Sequence, residues 1–185
     1  MQFASSNRLL RRLITLAVPA LFLATLANSA HAGISSRRQL AAILSQTPAA
    51  QIVCEGRQME QAEQAAAQIP GAQAFWGVGQ SMQPLYTPNT ALVVKTIPYN
   101  QVKKGMTLVY VKKNGRVVAH SVVDEDAKGY VVQGVNNSDA DAESVNEHNM
   151  IGVVVAAYAS SENPLRIELA KTVASHERLT AANRG

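Results

Sequence analysis

Apolar and polar positions change rhythm twice along the chain, and each change predicts a different kind of structure. Residues 13–27 are an apolar run behind Arg8, Arg11 and Arg12. Over 35–46, Leu40, Ile43 and Leu44 recur at the spacing of one helix face, with Ser35 or Ser36 to cap the start and Thr47-Pro48 to end it. A second helix is predicted over 57–69, where Met59, Ala62, Ala66 and Ile69 share a side and Glu60, Gln61, Glu63 and Gln64 face water. Pro70-Gly71 stops it.

From there the rhythm becomes that of strands, about five or six of them: 74–78, 91–97, 106–112, 116–124, 129–135 and 150–158. Asn114-Gly115 between two apolar runs predicts a hairpin, with a type I′ turn that places both residues at positive φ. Strand alternation then puts Val118, His120 and Val122 on one side of the following strand and Val117, Ala119, Ser121 and Val123 on the other. The tail over 164–182 reads as an amphipathic helix with Leu165, Leu169, Val173 and His176 on one face. The expected fold is mostly β: a coiled, largely antiparallel β-domain with short N-terminal helices and a C-terminal helix. Its divisions are an export segment at 1–32, a helical segment at 33–72, the β-domain at 73–160 and the helical tail at 161–185.

Charge changes this picture little. The formal +4 invites a nucleic-acid reading, but Arg8, Arg11 and Arg12 are the only charges in 1–32. Without them, 14 lysines and arginines face 13 aspartates and glutamates, with no clustered basic face, so no nucleic-acid partner is expected. The composition, 47% apolar and 16% charged, suits a folded core.

The N-terminus adds a destination. A basic start, an apolar run and Ala30-His31-Ala32 before Gly33 form a secretory signal with its cut after Ala32. The alternative is a retained anchor, since 13–32 has the length of a spanning helix, although Asn28, Ser29 and His31 make its far end polar. Either way the remainder is expected outside the cytoplasm, in the periplasm or on the extracellular side of the cytoplasmic membrane. The tail helix is expected to dock on the domain, with membrane-surface contact as its alternative. The single exported cysteine, Cys54, has no internal partner and reads as a partly buried thiol, or else as one half of an intermolecular disulfide.

Candidate chemistry centres on Ser81, in a short irregular stretch, and on His120, presented from a strand. Serine is a weak nucleophile until a base takes its proton, and histidine titrates in the range to do so. Between 136 and 149, Asp139, Asp141, Glu143 and His148 lie close in sequence. They lack the spacing and central glycine of a calcium loop, so a solvated loop and no metal are expected. No cofactor is called for.

Four stretches together carry a family resemblance. Ser81-Met82-Gln83-Pro84, Ala119-His120-Ser121-Val122, Gln133-Gly134-Val135-Asn136-Asn137 with Asp139 and Asp141, and Ile151-Gly152-Val153-Val154 resemble, in order, the boxes of the type I signal peptidases, which are related to LexA-type self-cleaving domains. The histidine in the second box resembles the endoplasmic-reticulum and archaeal subtype rather than the lysine-dependent bacterial one. The resemblance implies a serine endopeptidase that cuts exported polypeptides after small residues. It implies Ser81 as nucleophile, His120 as general base and Asp141 as the orienting carboxylate, with Asp139 as alternative. The Ser81 backbone N–H would serve the oxyanion, and Met82 and Pro84 would shape the cleft.

Three positions depart from the family pattern: Val135 stands for an aspartate, Ser121 for an arginine and Gln80 for a small residue. Gly79 also lacks the hydroxyl that many relatives aim at the oxyanion. The rival base is a lysine, Lys95, Lys112 or Lys113. The rival function is a catalytically inactive β-domain of the cell envelope that holds extended peptides.

Overall fold

Ile43 shows why the first helix forms where it does: it is 1% exposed and lies in the core beside Met82, Leu85 and Val123. Leu40 and Leu44 pack against the same cluster, so the apolar stripe is the docking face. The computed structural model describes residues 37–161 and, in the tail, Glu168, Lys171, Thr172, Ala174 and Ser175, which are helical and exposed. The predicted signal over 1–32 and the tail positions Leu165, Leu169, Val173 and His176 lie outside the described residues. Among the described residues no helix is long and apolar enough to cross a membrane.

The elements run α1 (Arg37–Gln46), β1 (Ala50–Ile52), α2 (Gln58–Ala67), β2 (Ala72–Gly77), β3 (Thr90–Lys95), a 3-10 turn (Tyr99–Gln101), β4 (Thr107–Val111), β5 (Val117–Asp126), β6 (Gly129–Gln133) and β7 (Met150–Ala159). Seven strands make one mostly antiparallel sheet in the order β2-β3-β7-β4-β5-β6, and β1 joins β7 in parallel. The Ile151-Gly152-Val153-Val154 stretch therefore lies in the central strand, which pairs with β3, β4 and β1. Leu92, Val94, Val109 and Val154 pack on one side with α1. Leu108, Tyr110, Val122 and Val132 form a second cluster, and Ala62 and Ala66 of α2 cover Ala91 and Val93 in a third. On β5, Val118 and Val122 join the second cluster while Ala119 and Val123 join the first, as strand alternation predicts.

Three expectations are corrected. The 33–72 segment is not purely helical: β1 hydrogen-bonds into the sheet, and the Tyr86 hydroxyl donates to Pro48 O at 2.9 Å, tying the segment to the domain. A strand of three residues, Ala50–Ile52, is too short to show a period of two. The hairpin is present, but its turn is not type I′. Gly115 alone of the pair has positive φ, at 80°; its N–H donates to Lys112 O at 2.8 Å and Lys112 N–H donates to Arg116 O at 2.9 Å. That is a three-residue loop with a left-handed glycine closing it, the next most favoured hairpin solution. Cys54 is exposed rather than partly buried, because the chain leaves the sheet after β1 and turns toward α2.

Candidate active site

Ser81 owes its position to its neighbours rather than to itself. After β2 the chain folds into turns, with Gln83 N–H donating to Gln80 O at 3.1 Å and Leu85 N–H to Met82 O at 2.9 Å; the Gln83–Pro84 peptide is cis. Met82 and Leu85 are buried in the core and pin the loop immediately after Ser81, which is itself half-buried. The stretch after β6 fixes it from the other side. Asn136 N–H donates to Ser81 O at 2.8 Å, and Gly134 lies so close that a Cβ there would sit 2.8 Å from Ser81 O and 2.9 Å from Ser81 Cβ. Gly134 thus serves by its lack of a side chain, since its φ is ordinary.

His120 projects from β5 and is 4% exposed. Its Nε2 lies 3.0 Å from Ser81 Oγ, although 39 residues separate the two. Its Nδ1 lies 3.2 Å from Asp141 Oδ1. Asp141 is itself held by its N–H donating to Val132 O at 2.8 Å, and its side chain is 7% exposed. Ser81, His120 and Asp141 therefore form a continuous chain of hydrogen-bonding groups. Asp139 does not take part: it is exposed and accepts from Ser138 Oγ at 2.7 Å.

Two more residues complete it, one of them not singled out from the sequence. Tyr110 is fully buried on β4, donates its hydroxyl to Asp141 Oδ2 and lies 3.4 Å from His120 Nδ1. Lys112 Nζ lies 2.9 Å from the same Oδ2. Lys112 was a rival base; here its ammonium is paired to the carboxylate, while Lys113 is exposed and Lys95 ends β3. The signal that points to Tyr110 is the hairpin register: Tyr110 faces Val118 and Leu108 faces His120, so Tyr110 shares the histidine's side of the sheet.

The electrostatics suit a base. Burial holds the His120 imidazole below its ordinary value; Asp141 opposes this and Lys112 adds to it. Burial also acts to raise the Asp141 carboxyl, but the Tyr110 and Lys112 hydrogen bonds and the facing imidazole offset it and leave the group below its usual range. Burial, then the bond to Asp141, pushes the Tyr110 phenol far up, so it keeps its proton. At neutral pH the site holds a neutral imidazole between a hydroxyl and a carboxylate.

The departures each have a structural account. Val135 is 5% exposed in the apolar core, so the only carboxylate at the imidazole among the described residues is Asp141. Ser121 is fully buried in a run of hydroxyls, 3.4 Å from Thr107 Oγ1, which is 3.0 Å from Thr47 Oγ1. Gln80 is exposed and its carbonyl accepts from Gln83 N–H. No atom lies within 4 Å of where a Gly79 Cβ would be.

Among the described residues no group of three or more His, Cys, Asp or Glu side chains could hold a metal ion. Beyond Asp141 a cleft of about 500 Å³ is lined by Lys112, Lys113, Lys128, Glu143 and His148, with neither Ser81 nor His120 in its wall. No family model, curated protein or solved structure matches this chain.

Proposed function

We propose that this protein is a serine endopeptidase of the cell envelope, similar to the signal peptidases with a Ser/His centre, that cuts exported polypeptides after small residues. The observation that carries the proposal is the Ser81 Oγ to His120 Nε2 distance of 3.0 Å, backed by Asp141 Oδ1 at 3.2 Å from Nδ1. Nucleophile, base and orienting group within hydrogen-bond reach are what acyl transfer needs. The coiled β-domain of the signal-peptidase and LexA type is the fold this reading entails, and the mostly antiparallel sheet is compatible with it.

In the proposed reaction Ser81 Oγ attacks the scissile carbonyl carbon while its proton passes to His120 Nε2. The imidazolium, stabilised by Asp141 at Nδ1, then returns that proton to the leaving amine as the C–N bond breaks. Water then loses a proton to the same nitrogen and attacks the acyl carbon; the C–Oγ bond breaks, and Nε2 returns that proton to Ser81 Oγ. The Ser81 N–H meets no acceptor among the described residues and is free to bind the oxyanion. The substrate would reach Ser81 as an extended chain. Strand β2, which leads into the Ser81 loop, pairs only with β3 among the described residues and so offers an edge for strand addition.

The test is hydrolysis of a peptide carrying an Ala-x-Ala site by the purified chain and by Ser81→Ala. Cleavage by the first alone supports the proposal. Equal, undetectable cleavage by both, with peptide still bound, would favour a peptide-holding domain.

A further inference from the structure

A general base must carry its proton on the correct nitrogen, and three groups around His120 Nδ1 bear on that choice. Asp141 Oδ1 lies 3.2 Å from Nδ1 and the Tyr110 hydroxyl 3.4 Å from it. The second carboxylate oxygen, Oδ2, accepts from both the Tyr110 hydroxyl and Lys112 Nζ, the latter at 2.9 Å. An ionised carboxylate only accepts, and a phenol has one proton to give. Once that proton is committed to Asp141, the phenol oxygen shows Nδ1 only a lone pair. Both neighbours of Nδ1 are then acceptors, so Nδ1 holds the hydrogen and Nε2 offers its lone pair to Ser81 Oγ at 3.0 Å.

The arrangement has a built-in hazard. Without the carboxylate, the nearest acceptor for the Tyr110 proton is Nδ1 itself, which would reverse the tautomer and point an N–H at the serine. We infer that Tyr110 is a positioning residue that fixes the His120 tautomer through Asp141, and that Asp141 acts in part by occupying the tyrosine's proton. Lys112 supports this by holding Oδ2 in place, so that Oδ1 stays turned to the imidazole. The inference rests on the peptidase reading for its meaning in catalysis, but the tautomer itself is measurable whether or not the protein cleaves peptides.

The experiment compares the full chain, Asp141→Ala and Asp141→Ala/Tyr110→Phe, labelled with ¹⁵N-histidine, above the pH at which His120 titrates. The His120 signals are assigned with His120→Gln. The expected result is Nδ1–H in the parent chain, Nε2–H in Asp141→Ala and loss of that reversal in the double variant. Turnover of the double variant should exceed that of Asp141→Ala by at least about fivefold, because the wrong tautomer at a base costs orders of magnitude. Unchanged Nδ1–H in Asp141→Ala, or a double variant no faster than the single one, would overturn the inference. A parent chain with the expected tautomer but no peptide cleavage would instead refute the peptidase reading. If Asp141→Ala does not fold, Tyr110→Phe alone decides. Freeing Asp141 from the phenol strengthens its pull on the imidazolium, so the acid limb of kcat/KM should move to higher pH. An unmoved limb would mean that Tyr110 only fills space.

Discussion

Gly134→Ala is the change that most sharply tests whether the stretch after β6 sets the nucleophile. The position has an ordinary backbone conformation, so alanine introduces no torsional strain and the whole effect is steric. The added methyl would lie 2.8 Å from Ser81 O, 2.9 Å from Ser81 Cβ and 2.8 Å from Asn137 Nδ2. Ordinary contact is about 3.5–4 Å, so Ser81 or the Gly134 strand end must retreat by roughly 0.5–1 Å. The amide could swing away, but the other two atoms belong to Ser81 itself, held by Asn136 N–H and by the buried Met82 that follows it. Overpacking of this kind costs about 1–3 kcal/mol, and a displacement of about 1 Å at a reacting atom costs about 10²-fold in rate. Thermal unfolding should show a drop of about 2–4 °C per kcal/mol, and peptide hydrolysis a fall in kcat of at least about tenfold with KM little changed. Wild-type kcat in a variant that melts at the wild-type temperature would show that Gly134 does not position Ser81.

Three further outcomes follow from the site. The proposed reaction needs the neutral imidazole, whose pKa burial lowers, so the acid limb of kcat/KM should have its midpoint below that of an ordinary histidine; because Lys112 also lowers it, Lys112→Met should shift that limb upward in a pH–rate profile. Gly79→Ser has open space at its Cβ position and, on the peptidase reading, restores the hydroxyl that many signal peptidases aim at the oxyanion, so single-turnover assays should show an acylation rate raised by about tenfold or more, with unchanged thermal stability. Ser121→Arg would force a guanidinium into a fully buried place among hydroxyls; chemical denaturation should show a loss of at least about 3 kcal/mol, and an arginine tolerated there at wild-type stability would refute the packing described for β5.

Much of this was legible in the sequence because the signals were periodic. Leu40, Ile43 and Leu44 mark the buried face of α1, Ala62 and Ala66 that of α2, and the alternation along β5 assigns His120 to the side it occupies. What stayed hidden depended on contacts between distant segments. β1 is too short for a period and exists through its pairing with β7. The loop glycine closes a different turn from the one Asn-Gly most often makes, since the dipeptide fits both geometries. Local pattern showed Asp141 only as one of several acids in a loop and the family resemblance alone singled it out; its N–H bond to Val132 O and the side-chain contacts with His120 and Lys112 hold it at the site. Tyr110 looked like an ordinary strand residue and Lys112 only like a rival base, because nothing local shows that a carboxylate 31 positions beyond the tyrosine will reach both.

A peptidase with this site must become acylated on the Ser81 hydroxyl with His120 as the base. Mixing the chain with an activated ester of an Ala-x-Ala peptide and reading intact mass, followed by peptide mapping, answers this directly. The expected result is one acyl group per chain, on Ser81, absent in Ser81→Ala and suppressed at least about 10²-fold in rate in His120→Gln. An acyl group on another residue, or labelling of Ser81 at the same rate without the imidazole, would contradict it.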